Sequence, residues 1–281
     1  MKICTLMDNI SRDDAYKAEF GLSYYIETGN CSILFDAGST HLFAENAEKM
    51  DIDLSKVDVA VLSHGHFDHG GGLLHFLKIN NHAKVYVAEA AFDEFFNVRD
   101  EYIGLNAELM QSDRIVYVKN HVQLAEGVEL FCPEVESGRG GFALKYPIDD
   151  YGLKAYQDGR LVSDDFRHEM YLLIREPDVD PGVDTGNEKL RTVLFSGCSH
   201  RGILNIMSWF SPDVLFGGFH LFPVETYGEG AEKLKKLAKE LLEYPTLYYT
   251  CHCTGIVQYE FLSSLMEDRI RYLAAGEQVI L

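Results

Sequence analysis

The order of hydrophobic and polar positions along the chain predicts strands that alternate with helices. Two strand-like runs, 22–26 and 31–35, flank the turn residues Gly29 and Asn30, a pattern typical of a hairpin. Apolar residues at three-to-four spacing predict helices over 42–50, 73–77, 201–210, 231–243 and 257–266. Short apolar runs predict further strands over 1–7, 57–61, 84–88, 192–195, 213–216, 246–250 and 278–281.

The middle of the chain has a different pattern from its two ends. Residues 89–110 are rich in aromatic side chains, and we expect this stretch to be mainly helical. From about 112 to 190, short strand-like pieces alternate with turn residues, which favours an inserted, mainly antiparallel segment. We therefore predict one domain over 1–281, with two packed sheets, helices outside them and an insertion over about 90–190.

The net charge limits the classes of partner. Lys and Arg total 25 against 44 Asp and Glu, which gives a formal net charge of −19. Such a field repels phosphate backbones and anionic membranes, so we expect a small-molecule substrate and neither nucleic acid nor membrane as a partner. The six cysteines are scattered without the density of a disulfide framework, which favours a cytoplasmic location. The oligomeric state is left open.

One short segment concentrates groups that bind metals. The segment His64-Gly-His66-Phe-Asp68-His69 holds four potential ligands in six residues, between a predicted strand and three glycines that begin a predicted helix. Divalent transition metals favour imidazole nitrogen and carboxylate oxygen. A loop at a strand tip can turn His64 and His66 towards one metal while Asp68 and His69 face a second, so the segment predicts a metal centre.

Several motifs resemble those of a known family. The segment 63–70 resembles the signature of the metallo-β-lactamase superfamily, and Phe35-Asp36-Ala-Gly38 resembles its first motif. The motifs at 197–200, 217–220 and 252–255 are similar to a branch known as the dihydropterin-ribofuranosylaminobenzene-phosphate synthase group of metal-dependent hydrolases. The resemblance implies a mixed α/β (α+β) fold, a four-layer αββα sandwich with its metal site at one end between the sheets. It also implies that Asp36 organises the ligands.

The resemblance implies a ligand set, with two departures. The family commonly has a Gly-His-Thr type third motif, and here His200 is predicted to take its role. Cys198 stands where the family has an aspartate that bridges two metals, so the predicted bridge is Cys198 or water alone. The predicted ligands of the first metal are His64, His66 and His200, and those of the second are Asp68, His69 and His252. Three protein ligands leave each metal an open position, as catalytic sites require. The expected cofactor is two divalent ions, zinc first, with manganese or iron as alternatives.

Other residues have two interpretations each. His220 is predicted as a seventh ligand, a general acid or a substrate-orienting donor, or else as a hydrogen-bonded core histidine. Arg139 is a candidate for binding substrate, or an exposed loop arginine. His168 and Glu169 are candidates for the wall of the substrate site, or part of a polar turn. Alternation along an extended chain predicts that Cys251 and Cys253 point away from the face that His252 uses.

The combined pattern predicts a hydrolase. Two divalent ions can share a water, lower its pKa and supply a bridging hydroxide as the nucleophile. Asp68 and Asp36 would orient that hydroxide, and His220 would protonate the leaving group of an ester or phosphoester. Three alternatives remain: a pterin-cofactor synthase or transferase, an iron-dependent oxidoreductase on the same fold, and a binding module that metal ions merely stabilise.

Overall fold

The computed structural model describes residues 1–134, 141–178 and 190–281. Its helices are α1 (Leu42–Lys49), α2 (Phe67–Gly70), α3 (Leu73–Ile79), α4 (Ile203–Phe210), α5 (Gly228–Leu242) and α6 (Ile256–Met266). Its strands are β1 (Lys2–Met7), β2 (Ser23–Glu27), β3 (Ser32–Phe35), β4 (Val59–Val61), β5 (Lys84–Ala88), β6 (Phe95–Phe96), β7 (Ile115–Val118), β8 (His121–Ala125), β9 (Val128–Phe131), β10 (Lys154–Gln157), β11 (Arg160–Ser163), β12 (Tyr171–Pro177), β13 (Leu190–Phe195), β14 (Val214–Phe216), β15 (Leu247–Thr250), β16 (Ile270–Tyr272) and β17 (Gln278–Ile280).

Two seven-stranded sheets have the same internal plan. The first has the order β17-β1-β2-β3-β4-β5-β7, and the second has the order β16-β15-β14-β13-β12-β9-β8. In the first sheet the strands from β17 to β3 are antiparallel and those from β3 to β7 are parallel. In the second, β8, β9, β12 and β13 are antiparallel and β13 to β16 are parallel. Each sheet therefore has a parallel half whose carboxyl ends meet at one edge.

The second sheet is buried on both faces. In β12, Leu172 and Ile174 belong to the apolar core shared with the first sheet, while Leu173 belongs to a second core with α4, α5 and α6. In β13, Phe195 and Leu194 divide between the two cores in the same way. Successive side chains of a strand point to opposite faces, so one core lies between the sheets and the other lies beneath the helices.

Helices cover the outer face of the first sheet as well. Phe43 of α1 and Leu73 and Phe76 of α3 are buried in the core that contains this sheet. The arrangement is therefore the predicted four-layer sandwich of helices, two sheets and helices. The helices predicted over 42–50, 73–77, 201–210, 231–243 and 257–266 each correspond to an observed helix. No helix in the three described ranges is long and apolar enough to cross a membrane.

The middle of the chain departs from its prediction. The helical prediction for 89–110 is wrong, because the structure has the short strand β6 and a 3₁₀ turn at Ala107–Gln111 there. The insertion over 90–190 also needs correction, because β7, β8, β9 and β12 belong to the two main sheets. The three-stranded sheet β11-β10-β6 is the part that lies outside them. Aromatic residues spaced three to four apart produced the helical pattern, but Phe95 is buried against the metal-binding loop instead.

Candidate metal centre

The candidate metal-binding residues lie at the shared edge of the two sheets. In the first sheet, Asp36 follows β3 and the 63–69 loop follows β4. In the second sheet, the 197–200 segment follows β13, His220 lies four residues beyond β14, and the 251–253 segment follows β15. These strands run parallel within each sheet, so their carboxyl ends bring together residues that are distant in the sequence.

The backbone at this edge adopts conformations that side chains rarely favour. Asp36, Phe166, Ser199, His220 and His252 all have positive φ, between 42° and 60°. Such residues carry strain that the surrounding structure must hold, and they concentrate at functional sites. Each one lies within a few residues of a strand end or beside the histidines, where the chain changes direction.

Asp36 fixes the orientation of two histidines. Its Oδ1 accepts from the backbone N–H of Ser63 at 2.7 Å, and its Oδ2 accepts from Ser63 Oγ and His69 Nδ1, each at 2.7 Å. Since Ser63 Oγ donates to Asp36, His64 Nδ1 must donate to Ser63 Oγ at 2.8 Å. His64 and His69 therefore both carry their proton on Nδ1 and present the Nε2 lone pair to the site, the arrangement found in metal-ligating histidines.

Asp8 and Asn9 fix the third histidine, and the sequence analysis missed both. Asp8 Oδ2 accepts from the backbone N–H of His252 at 2.6 Å. Asn9 Oδ1 accepts from the backbone N–H of Gly21 at 3.2 Å and contacts His252 Nδ1 at 2.7 Å, so His252 Nδ1 is the donor. His252 Nε2 then faces Asp68 Oδ2 at 3.2 Å. A carboxylate and an imidazole lone pair repel at this distance unless a proton or a cation lies between them.

Several imidazole nitrogens at the centre, including Nε2 of His64, are available to bind a metal. We call five atoms the open nitrogens, because each is buried and has no hydrogen-bond partner among the described residues: His64 Nε2, His66 Nε2, His200 Nδ1, His200 Nε2 and His220 Nδ1. A buried polar atom without a partner costs about 1–3 kcal/mol of stability, so several in one place need an explanation. Divalent cations provide one, since imidazole nitrogen is a preferred ligand.

The pKa values at the centre indicate neutral imidazoles at His64, His66 and His200 and a protonated imidazole at His69, which would lose its Nε2 proton on binding a metal. Burial, aided by the neighbouring imidazoles, holds the pKa of His64 and His200 well below the ordinary value and lowers that of His66 to about 3. Burial also acts on His69, but Asp36 and Asp68 outweigh it and raise its pKa to about 9. For Asp68, the nearby histidines outweigh burial and lower the pKa of its carboxyl. A neutral imidazole and an ionised carboxylate are the forms that bind metal.

Cys198 lies between the two predicted metal positions. Its Sγ is grouped with His64 and His200 on one side and with His69 and His252 on the other, with the ligand atoms of each group within 4.8 Å of one another. The His69 Nε2 to Cys198 Sγ distance is 3.1 Å, and Asp68 Oδ2 lies 3.8 Å from His69 Nε2. The structure therefore brings together Asp68, His69 and His252, and it places the cysteine where the predicted bridge belongs.

His66 lies close to two different sets of potential ligands. Its ring centroid lies 4.6 Å from that of His64 and 5.1 Å from that of His200, as the first predicted ligand set requires. Within 4.8 Å, however, it groups with Asp164 and His168. Asp164 Oδ2 is 4.0 Å from His66 Nε2, and the sequence analysis assigned no ligand role to this aspartate.

His168 and Glu169 are not among the residues that line the cavity beside the candidate metal ligands, and their contacts are with the protein. His168 Nδ1 accepts from the backbone N–H of Gly65 at 2.8 Å, and its Nε2 faces Asp164 Oδ2 at 3.2 Å. Glu169 accepts from the backbone N–H groups of His200 and Arg201, at 2.7 and 3.0 Å. Both side chains are fully buried, and they hold the two histidine loops in place.

The predicted direction of the Cys253 side chain also needs correction. The prediction that it points away from His252 fails, because residues 252–254 form a 3₁₀ turn with His252 at φ 42° instead of an extended strand. Cys253 groups with Cys198 and His220, with ligand atoms within 4.8 Å of one another. Cys251 does point away, and Tyr24 OH donates to its sulfur at 3.0 Å in the core between the sheets.

A cavity of about 430 Å³ opens beside these residues. His66, Asp68, Cys198, His200, His220, His252 and Cys253 line it, together with Phe20, Phe67, Asn97, Arg99, Tyr151, Leu153 and Phe222. Arg99 brings a guanidinium to this cavity, whereas the predicted Arg139 lies outside the described residues. Asp36 is fully buried and not part of the lining, so it holds His69 and does not reach the contents of the cavity.

Comparisons with known proteins agree with the fold and the motifs. A family model described as the metallo-beta-lactamase superfamily matches residues 16–242. The chain is 28% identical over 305 residues to 7,8-dihydropterin-6-methyl-4-(beta-D-ribofuranosyl)-aminobenzene-5'-phosphate synthase of Methanocaldococcus jannaschii, covering 99% of this chain and 95% of that protein. An uncharacterised protein of the same organism is 26% identical over 272 residues, covering 92% of this chain and 93% of the relative.

One solved structure matches over the whole length. It is that of Tm1679, described as a metal-dependent hydrolase of the beta-lactamase superfamily, with a TM-score of 0.79 and 24% identity. The alignment covers 100% of this chain and 99% of that one. The likeness shows a common fold.

Proposed function

Because the chain belongs to the metallo-β-lactamase superfamily, we propose that it is a hydrolase that binds two divalent cations and cleaves a phosphoester or ester of a small molecule. Zinc is the first candidate cation, before manganese and iron. One observation carries the proposal: buried imidazole nitrogens of His64, His200, His69 and His252 converge on Cys198, and Asp68 Oδ2 lies 3.2 Å from His252 Nε2. A binding module that only needed metal for stability would have a closed ligand shell, whereas these residues line a cavity.

The residues present fit two cations. His64, His66 and His200 would hold the first, and Asp68, His69 and His252 the second, with Cys198 between them. When bound, two such cations lower the pKa of water and polarise the oxygens of a phosphoester or ester. Asp36, Ser63 and Asn9 hold His69, His64 and His252 in the tautomer that offers Nε2.

The cavity wall supports an anionic or polar ester as substrate. Arg99 is positioned to pair with a phosphate or carboxylate, since a guanidinium donates two parallel hydrogen bonds to such groups. His220 lines the same cavity and has a buried, open Nδ1, so it is the candidate to donate a proton to the leaving oxygen. Phe20, Phe67 and Phe222 supply apolar surface for the rest of the molecule and limit the access of water.

The test begins with elemental analysis of the purified chain and a screen of activated phosphoesters and esters. We expect about two zinc or manganese ions per chain and metal-dependent hydrolysis. His66→Ala should lower both the metal content and kcat/KM, while the control His82→Ala should change neither, because His82 is exposed at the end of α3. Full metal binding without hydrolysis of any such ester would count against the hydrolase. Predominant iron with a redox-active spectrum would favour the oxidoreductase instead.

A second candidate function rests on the similarity to the pterin-linked synthase, which covers 99% of this chain. In this alternative the protein catalyses a synthetic or group-transfer step with a pterin-type precursor. Product analysis after incubation with dihydropterin precursors separates the two candidates. A condensed product supports the synthase, and release of phosphate or alcohol alone supports the hydrolase.

A further inference from the structure

A group of three residues beside the two predicted metal positions has no role in the proposed hydrolysis as a set. The ligand atoms of Cys198, His220 and Cys253 lie within 4.8 Å of one another, and all three residues are buried. They come from the ends of three neighbouring parallel strands of the second sheet, β13, β14 and β15. The fold itself therefore brings two sulfurs and one imidazole together.

We propose that Cys198, His220 and Cys253 bind a third, thiophilic divalent cation such as Zn(II) or Cd(II), next to the two-metal centre and sharing Cys198 with it. Thiolate and imidazole are the preferred ligands of these ions. A tetrahedral zinc with Zn–S bonds of about 2.3 Å holds its sulfurs about 3.8 Å apart, which lies within the 4.8 Å limit on the spacing of these ligand atoms. Three protein ligands leave a fourth position for water, and while the third cation is bound this water would replace His220 as the proton donor to the leaving oxygen.

Two observations argue against simple packing of these side chains. His220 Nδ1 is one of the open nitrogens, so the group contains a buried donor atom for a metal that the described protein atoms do not satisfy. The backbone of His220 is held at φ 49°, and its N–H donates to Cys253 Sγ at 3.3 Å, which suits a thiolate. All three residues also line the 430 Å³ cavity, which gives an ion a route of entry.

The neighbouring Cys251 shows what a packed cysteine looks like in this chain. Two residues before Cys253, it is surrounded by the core between the sheets, and its sulfur accepts from Tyr24 OH. It groups with none of the potential metal ligands among the described residues. Cys251 therefore provides a matched control of the same residue type, on the same loop and with the same burial.

The test uses cobalt, whose bonds to thiolate give a charge-transfer band in the near ultraviolet. The wild-type chain, C253S and C251S are titrated with Co(II), and bound zinc is counted separately by elemental analysis after dialysis. We expect C253S to lose at least half of the band and to fall from about three zinc ions per chain to about two, because one cation loses a sulfur ligand. C251S should match the wild type in both measurements. Equal bands and equal zinc content in C253S and C251S would overturn the proposal.

A second measurement needs no variant, so it stands even if C253S fails to fold. The wild-type chain is loaded with ¹¹³Cd(II), and the chemical shift of the bound ion reports how many sulfurs coordinate it. We expect a resonance in the range of two-sulfur coordination. Resonances in the range of nitrogen, oxygen and single-sulfur coordination alone would exclude Cys198 and Cys253 as ligands of one cation.

The outcome is independent of the proposed function. If His66→Ala abolishes hydrolysis while C253S keeps the cobalt band, the hydrolase stands and the third cation fails. If the band depends on Cys253 but no ester or phosphoester is cleaved, the third cation stands and the hydrolase fails.

Discussion

Two groups of buried histidines lie side by side in this molecule and differ in what their nitrogens contact. The ligand group, His64, His66 and His200, has ring nitrogens without hydrogen-bond partners in the described ranges. His168 is as deeply buried and its ring is only 5.2 Å from that of His66, yet both of its nitrogens face polar groups, Gly65 N–H and Asp164. Burial and proximity alone therefore do not distinguish these two groups, whereas the unsatisfied ring nitrogens of His64, His66 and His200 do.

Some residues at the centre are proposed metal ligands, and others position those ligands through hydrogen bonds. Asp36, Ser63 and Asn9 hold the tautomers of the ligand group, and Glu169 holds the backbone of the loop that carries His200. Changes in the two kinds of residue should therefore separate metal affinity from the free energy of unfolding. The following predictions run from the largest expected effect on metal binding to the smallest.

Removing a ligand should have the largest effect. Residues that merely hold ligands change metal affinity by about 10–100-fold when mutated, so His64→Ala should weaken zinc binding by more than about 100-fold. Competition with a chromophoric chelator measures the affinity. His41→Ala is the control, since His41 is exposed and pairs with Glu45. Wild-type affinity in His64→Ala would contradict the assignment of the ligand group.

Changing Asp36, which fixes the tautomer of His69, should have the second-largest effect on zinc affinity. In Asp36→Asn the amide presents N–H to groups that now donate, so His69 is driven to carry its proton on Nε2, where it cannot bind metal. We expect zinc affinity to fall by about 10–100-fold. Asp58→Asn is the control, because Asp58 is exposed and accepts from Ser32. If both variants bind zinc equally, Asp36 does not govern the tautomer.

Removing His168, which accepts a hydrogen bond from the Gly65 backbone, should change the free energy of unfolding more than the zinc affinity. His168→Leu removes the hydrogen-bond partner of the buried Gly65 N–H and the contact of Asp164 Oδ2, while Asp164 Oδ1 keeps the N–H of Phe166, so the free energy of unfolding should fall by about 1–3 kcal/mol. Urea unfolding in the presence of a chelator measures this loss, and the zinc content after reloading should equal that of the wild type. Loss of zinc with unchanged stability would place His168 among the ligands instead.

The smallest effect is expected at Cys251. Cys251→Ser keeps the size and can still accept from Tyr24 OH, so zinc affinity should not change and stability should change by about 1 kcal/mol at most. Thermal unfolding and zinc titration check both. A large loss of zinc would mean that the loop around His252 depends on this sulfur.

The sequence predicts the 64–69 loop well because the chemistry there is local. Four ligand types in six residues, between a strand and three glycines, permit few other interpretations. Periodicity also predicted two packed sheets with helices outside them, whereas the four-layer sandwich itself was implied by the resemblance to the superfamily. These features depend on neighbours within a few residues of one another.

The errors arise where geometry is not local. Cys253 was misjudged because alternation assumes an extended backbone, and the positive φ of His252 breaks it. Asp8 and Asn9 carry no motif, and their role depends on a contact with a residue 243 positions or more away. The aromatic residues in 89–110 have a spacing typical of a helix. Phe95 packs on His66 instead, and this tertiary contact cannot be predicted from periodicity.

The hydrogen bonds that join Asp8 and Asn9 to His252 determine when during synthesis the centre can form. Asp68 and His252 are 184 positions apart, and the groups that orient His252 lie near the beginning of the chain. A ribosome must therefore release residue 252 before the proposed second cation can have all its ligands. A nascent chain stopped at about residue 240 would contain the proposed ligands of the first cation, His64, His66 and His200, but would lack His252 for the second.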